Sequence, residues 1–102
     1  MNNAQFGFKD GDIEIILNII ASFTAIDKAV IFGSRAKGNY QQGSDVDIAL
    51  FTKNNSISPQ LSFKLNEESL LPYKFDVIDF NTLTHADLIE HINRVGIVIY
   101  QK

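Results

Sequence analysis

Ala29-Val30-Ile31-Phe32-Gly33-Ser34-Arg35-Ala36-Lys37-Gly38, followed by Ser44-Asp45-Val46-Asp47-Ile48-Ala49-Leu50-Phe51-Thr52, decides how this chain is read. The first four residues are a short apolar run rich in strand formers, and Gly33 stops it as the end of a buried strand would be stopped. Gly33 to Ser44 holds three glycines and two basic residues without an apolar period, which predicts a loop with a turn of helix after Gly33. From Asp45 to Thr52 the residues alternate. Val46, Ile48 and Leu50 share one face of a second strand, and Asp45, Asp47, Ala49 and Phe51 share the other.

Outward from this block, Ile13, Ile16, Leu17 and Ile20 recur at helical spacing. With acidic Asp10 and Asp12 at its start, this predicts a first helix ending near Ala25. Met1 to Lys9 is polar and Asn-rich, and residues 1–9 are expected to be a loose leader ahead of a single domain over 10–102. Ser58-Pro59 suits a cap followed by proline in the first turn, opening a helix that Pro72 closes. Lys74 to Phe80 reads as a third strand. Thr84 to Arg94 reads as a last helix, with Thr84 as its cap and Asp87 in its first turn. Gly96 to Tyr100 is short, apolar and open to more than one reading. This order predicts an α/β (α+β) fold in which a small mixed sheet carries helices on one face.

With 102 residues the chain suits one core, and 45% hydrophobic with 21% charged residues is the balance of a folding chain. The net charge of -3 excludes a broad basic surface, so binding to long nucleic acids or anionic membranes is not expected. The absence of cysteine removes thiolate metal sites and disulfides, leaving oxygen ligands as the natural metal chemistry. No secretory or membrane-spanning stretch is evident, and a cytoplasmic location is expected. His85 and His91 lack acidic neighbours at ligand spacing and read as surface histidines.

Asp45 and Asp47 are two apart on a strand. Their α-carbons then lie about 6.6 Å apart and both carboxylates leave the same face. Two divalent cations in phosphoryl-transfer sites lie about 3.5 to 4 Å apart, a span that such a pair can share. Asp76 interrupts the apolar run Phe75, Val77, Ile78, where a carboxylate at a sheet centre would be costly to desolvate. Cations that offset three mutually repelling carboxylates would supply a reason for it. Gly33 and Ser34, directly after a strand, can bring backbone N–H groups and a hydroxyl to a phosphate. Asp79 has the opposite strand parity to Asp76 and reads as a strand end.

The run Phe32-Gly33-Ser34-Arg35-Ala36-Lys37-Gly38, then Ser44-Asp45-Val46-Asp47-Ile48 and the distal Asp76, resembles the signature of the polymerase-beta-like nucleotidyltransferases, in their minimal stand-alone branch. The resemblance implies Asp45, Asp47 and Asp76 as ligands of two Mg2+ ions. It implies Asp76 also as orienter of the attacking hydroxyl, and Gly33 and Ser34 as holders of a nucleoside triphosphate. Arg35, Lys37 and Ser44 match further positions of the motif on the nucleotide side. The reaction implied is transfer of a nucleoside monophosphate, with AMP from ATP as the leading case, in the EC 2.7.7 class. Minimal members are commonly paired with a helical HEPN-type protein, and some adenylylate it as antitoxins. Two other readings stay open: a subunit that binds nucleotide or partner without turnover, and transfer to RNA or a small molecule. Ile15, Ile19 and Ile26 are read as a second apolar stripe on the first helix that would serve a partner or a homo-oligomer.

Overall fold

The computed structural model describes residues 2–53 and 56–102, so Met1 of the expected leader lies outside it. Four strands form one mixed sheet in the order β3-β2-β1-β4. They are β1 (Ile26–Phe32), β2 (Val46–Thr52), β3 (Phe75–Asp79) and β4 (Ile97–Gln101). β1 pairs antiparallel with both β2 and β4, whereas β2 and β3 run parallel. A parallel pair needs a crossover, and α3 (Ser58–Phe63) supplies it, continued by one π-helical stretch over Lys64–Glu68. The other helices are α1 (Asp12–Ala21), α2 (Gly33–Lys37) and α4 (Ala86–Val95).

Alternation along the strands feeds two cores. Ala29, Ile31, Val46, Ile48 and Leu50 are buried with Ile13, Ile16 and Ile20 of α1 and Leu61 of α3. Val30, Phe32 and Ala49 are buried on the opposite side with Ile92 of α4. The sheet is mixed as expected, but the helices lie on both faces. The central strands β1 and β2 are apolar at nearly every position, and such strands demand cover on each side.

Other boundaries differ from the sequence reading for identifiable reasons. Residues before α1 are not a loose leader. A 3-10 turn over Asn3–Phe6 buries Phe6 completely and Phe8 almost so, and Asn3 Oδ1 accepts the Ile13 N–H at 2.8 Å at the start of α1. Two aromatic side chains outweigh the polar residues around them. α1 stops at Ala21, and Ile26 opens β1 as a fully buried core residue. Ile26 is therefore no part of a helical stripe. Ile19 packs against the core and Ile15 alone of the three is well exposed. The ambiguous Gly96 to Tyr100 stretch is edge strand β4.

Capping also falls elsewhere. His85, not Thr84, caps α4, its Nδ1 accepting the Leu88 N–H at 3.1 Å. At α3 the side chain of Ser58 is no local cap. Instead Asp79, buried at the end of β3, accepts from the Ile57 and Ser58 N–H groups at 3.2 Å and from the Ser56 and Ser58 hydroxyls. A carboxylate from a strand thus satisfies the helix start across 21 residues of chain.

Candidate active site

Phe32 and Asp47 are paired residues of β1 and β2, and Asp47 is paired with Asp76 of β3. Equal register in a parallel pair sends both carboxylates to the same side of the sheet. Asp45 lies one residue before β2 and is exposed. Three acidic groups are thus gathered at the end of the sheet where β2 and β3 begin.

The route by which Asp76 reaches that position differs from the sequence argument. β3 is an edge strand and Asp76 is exposed, so no desolvation cost demanded a partner for it. Its relation to Asp47 comes from strand register. Asp47 is the half-buried member. Its pKa is pushed up from 3.8 to about 6, first by burial and then by the charges of Asp76 and Asp45. Among the described residues no group of three His, Cys, Asp or Glu side chains lies close enough together to hold a metal ion as it stands.

Gly33 begins α2 with φ +75°, a left-handed conformation in which a side chain is strained. A Cβ on Gly33 would overlap the Asp47 carboxylate. Glycine here therefore lets backbone approach the acidic group closely. Ser34 follows, half-buried, in the first turn of α2. A cradle that any side chain would fill, beside a carboxylate with a raised pKa, is a donor set suited to hard divalent cations and phosphate oxygens.

Arg35 departs from the nucleotide-side expectation. It is 3% exposed, its Nε and Nη2 donate to the Ser44 carbonyl and its Nη1 to the Phe6 carbonyl at 2.8 Å. Phe8, Tyr40 and Tyr73 surround the guanidinium, with Tyr73 nearest at 5.1 Å. Its work is to tie the N-terminal turn and the Ser44 loop to α2. Ser44 contributes through its carbonyl, and its hydroxyl accepts the Gln41 N–H at 2.9 Å. Lys37 is exposed in the last turn of α2.

Sequence reading passed over one feature at this end of the sheet. A cleft of about 380 Å³ is lined by Lys9, Arg35, Tyr40, Ser44, Tyr73 and Lys74 among others, and by none of the three aspartates. Lys74 precedes Asp76 by two residues, which was the available signal. Lys9 reaches the cleft because the N-terminal turn folds back, and its N–H donates to the Tyr73 hydroxyl at 3.2 Å.

Comparison with known proteins identifies the family. The family model described as "Polymerase beta, Nucleotidyltransferase" matches residues 14–102. The chain is 30% identical over 101 residues to a probable protein adenylyltransferase MntA of Haemophilus influenzae, covering 97% of this chain and 88% of that protein. Among solved structures, a toxin-antitoxin with AMP-PNP superposes with a TM-score of 0.74 at 20% identity, covering 89% of this chain and 74% of the other. The MNT antitoxin complex with a tri-AMPylated HEPN toxin of Shewanella oneidensis superposes with a TM-score of 0.61 at 18% identity, covering 88% and 73%. These likenesses carry the fold. A family match that runs from within α1 through β4 and takes in Gly33, Asp45, Asp47 and Asp76 makes this chain a member of the polymerase beta nucleotidyltransferase family.

Proposed function

We propose that this nucleotidyltransferase moves AMP from ATP to a hydroxyl on a helical HEPN-type partner protein, as an adenylylating antitoxin would. The register of Asp47 with Asp76, beside the side-chain-free backbone of Gly33, carries this reading. The name of the Haemophilus relative and the AMPylated HEPN toxin in the Shewanella complex supply the acceptor class.

Asp45, Asp47 and Asp76 would hold Mg2+, which when bound supplies positive charge against the carboxylates and the triphosphate. Gly33 and Ser34 receive phosphate oxygens through backbone N–H and hydroxyl. Lys37, exposed at the end of the same short helix, adds a cation. Asp76 sits on an edge strand open to an incoming protein, where its carboxylate orients the acceptor O–H and takes its proton. The acceptor oxygen forms a bond to the α-phosphorus while the bond to pyrophosphate breaks, in line. On this reading the reaction belongs to the cytoplasm, where a nucleoside triphosphate is supplied. Among the described residues no helix is long and apolar enough to cross a membrane.

The test is transfer of labelled AMP to a HEPN-type protein with Mg2+, comparing wild type with Asp45→Asn and Asp47→Asn. Labelling by wild type alone is expected. Equal labelling by all three removes the carboxylates from the chemistry. Binding of nucleotide and partner with no labelling by any of them makes the chain a non-catalytic subunit.

A further inference from the structure

Three cationic side chains border the cleft beside the catalytic aspartates, in a chain whose net charge is -3. Lys9 and Lys74 are exposed, and among the described residues no acidic side chain forms an ion pair with either. Arg35 lies in the wall, almost wholly buried. Its guanidinium has five N–H groups. One from each nitrogen is committed to a carbonyl, which leaves one on Nη1 and one on Nη2. Asp12 Oδ2 accepts from both the Lys9 N–H and the Tyr73 hydroxyl. Gly7 keeps the opening clear, since a Cβ there would collide with the Tyr40 ring and stand 3.0 Å from Arg35 Nη1.

We propose that this cleft is a second anion site, separate from the carboxylate centre, that takes a small phosphoanion of two or more charges between Lys9, Lys74 and Arg35. Charge selects the class of ligand. Two unpaired ammonium groups and a fixed guanidinium match phosphoryl oxygens, and the aromatic faces that could hold a base are already turned on Arg35. The position gives the site a use. Ser44 adjoins Asp45, and the Lys74 carbonyl accepts the Val46 N–H at 2.8 Å, so an anion bound here sits beside the start of both acidic strands. The phosphoryl groups can come from free pyrophosphate or from the tail of a nucleotide.

The site needs no divalent cation, and that separates it from the reaction. Pyrophosphate and ATP are titrated separately into the full chain in EDTA, following amide shifts at Gly43, Ser44 and Tyr73. Both probes shifting these amides assigns the site to phosphoryl groups in general, and pyrophosphate alone assigns it to the free anion. Lys9→Gln with Lys74→Gln removes two of the three cationic contacts and should weaken binding about a hundredfold, roughly tenfold for each. Asp45→Asn should leave it undiminished. These lysines are exposed, so the double variant keeps its fold, and the remaining amide spectrum checks this. Shifts that persist in the double variant, that vanish in Asp45→Asn, or that are absent for both probes overturn the proposal. None of these outcomes depends on whether AMP transfer occurs.

Discussion

Replacing Asp47 by Asn should abolish transfer and at the same time make the metal-free protein more stable at neutral pH. The carboxyl group is held at about 6 instead of 3.8, by burial first and then by Asp76 and Asp45. A folded-state pKa above the unfolded one means that the folded chain binds the proton more tightly. The stabilising contribution is therefore full below 3.8 and is lost as pH rises through about 6. In a dry interior that difference would correspond to about 3 kcal/mol. Asp47 is half-exposed, and solvent screening brings the figure to about 1 kcal/mol. For a domain of this size that is a rise in Tm of about 5 °C for Asp47→Asn at pH 7.5 in EDTA. The assay is a series of thermal melts of both proteins from pH 4 to pH 7.5. The difference between them isolates this group, because all other titrations are shared. The two curves should converge toward pH 4, and Mg2+ should stabilise the wild type and not the variant. A difference that stays flat across the range, or a variant that melts below wild type at pH 7.5, refutes the placing of Asp47 in a strained acidic cluster.

Gly33→Ala forces a side chain into the Asp47 carboxylate at positive φ, and should cost roughly 1 to 2 kcal/mol in urea melts while AMP transfer collapses. Near-wild-type transfer would show that the close approach is dispensable. Asp79→Ala leaves two backbone N–H groups and two hydroxyls without their acceptor, so equilibrium unfolding should record a loss of about 2 to 3 kcal/mol. Arg35→Lys cannot reproduce the forked contact with the Ser44 carbonyl, and should lower stability by about 2 kcal/mol with the KM for ATP unchanged. The opposite pattern, a raised KM at normal stability, would return Arg35 to the phosphate site.

The β1-α2-β2 block was legible in the sequence because two local signals coincide there. An apolar run ends at a glycine, and an alternating run begins with two acids. Strand register was not legible. Asp76 meets Asp47 through a parallel pairing, and nothing within residues 75–79 announces which neighbour the strand takes or that it lies at an edge. Asp76 lies exposed on an edge strand, so desolvation does not single it out. The burial of Arg35 was not legible, because a basic residue in a glycine-rich loop looks free until the chain before α1 is known to fold over it. Phe6 and Phe8 carried that information, but the polar residues around them hid it. Ile26 was placed on a helix because a period of 3.6 cannot say where the helix stops, and α1 ends with no glycine or proline to mark it.

At the outer rim of β3 an amide side chain takes the place of a neighbouring strand. Asn66 accepts the Phe75 N–H at 2.8 Å and donates to the Phe75 carbonyl at 2.9 Å, filling the ladder positions that another strand would use. A chain adding itself to the sheet beside Asp76 would first have to evict Asn66. Growth by strand addition is thereby steered to the β4 rim, three strand spacings or about 14 Å away. On the proposed function, an assembly joined through the β4 rim would leave the acidic edge free for the acceptor.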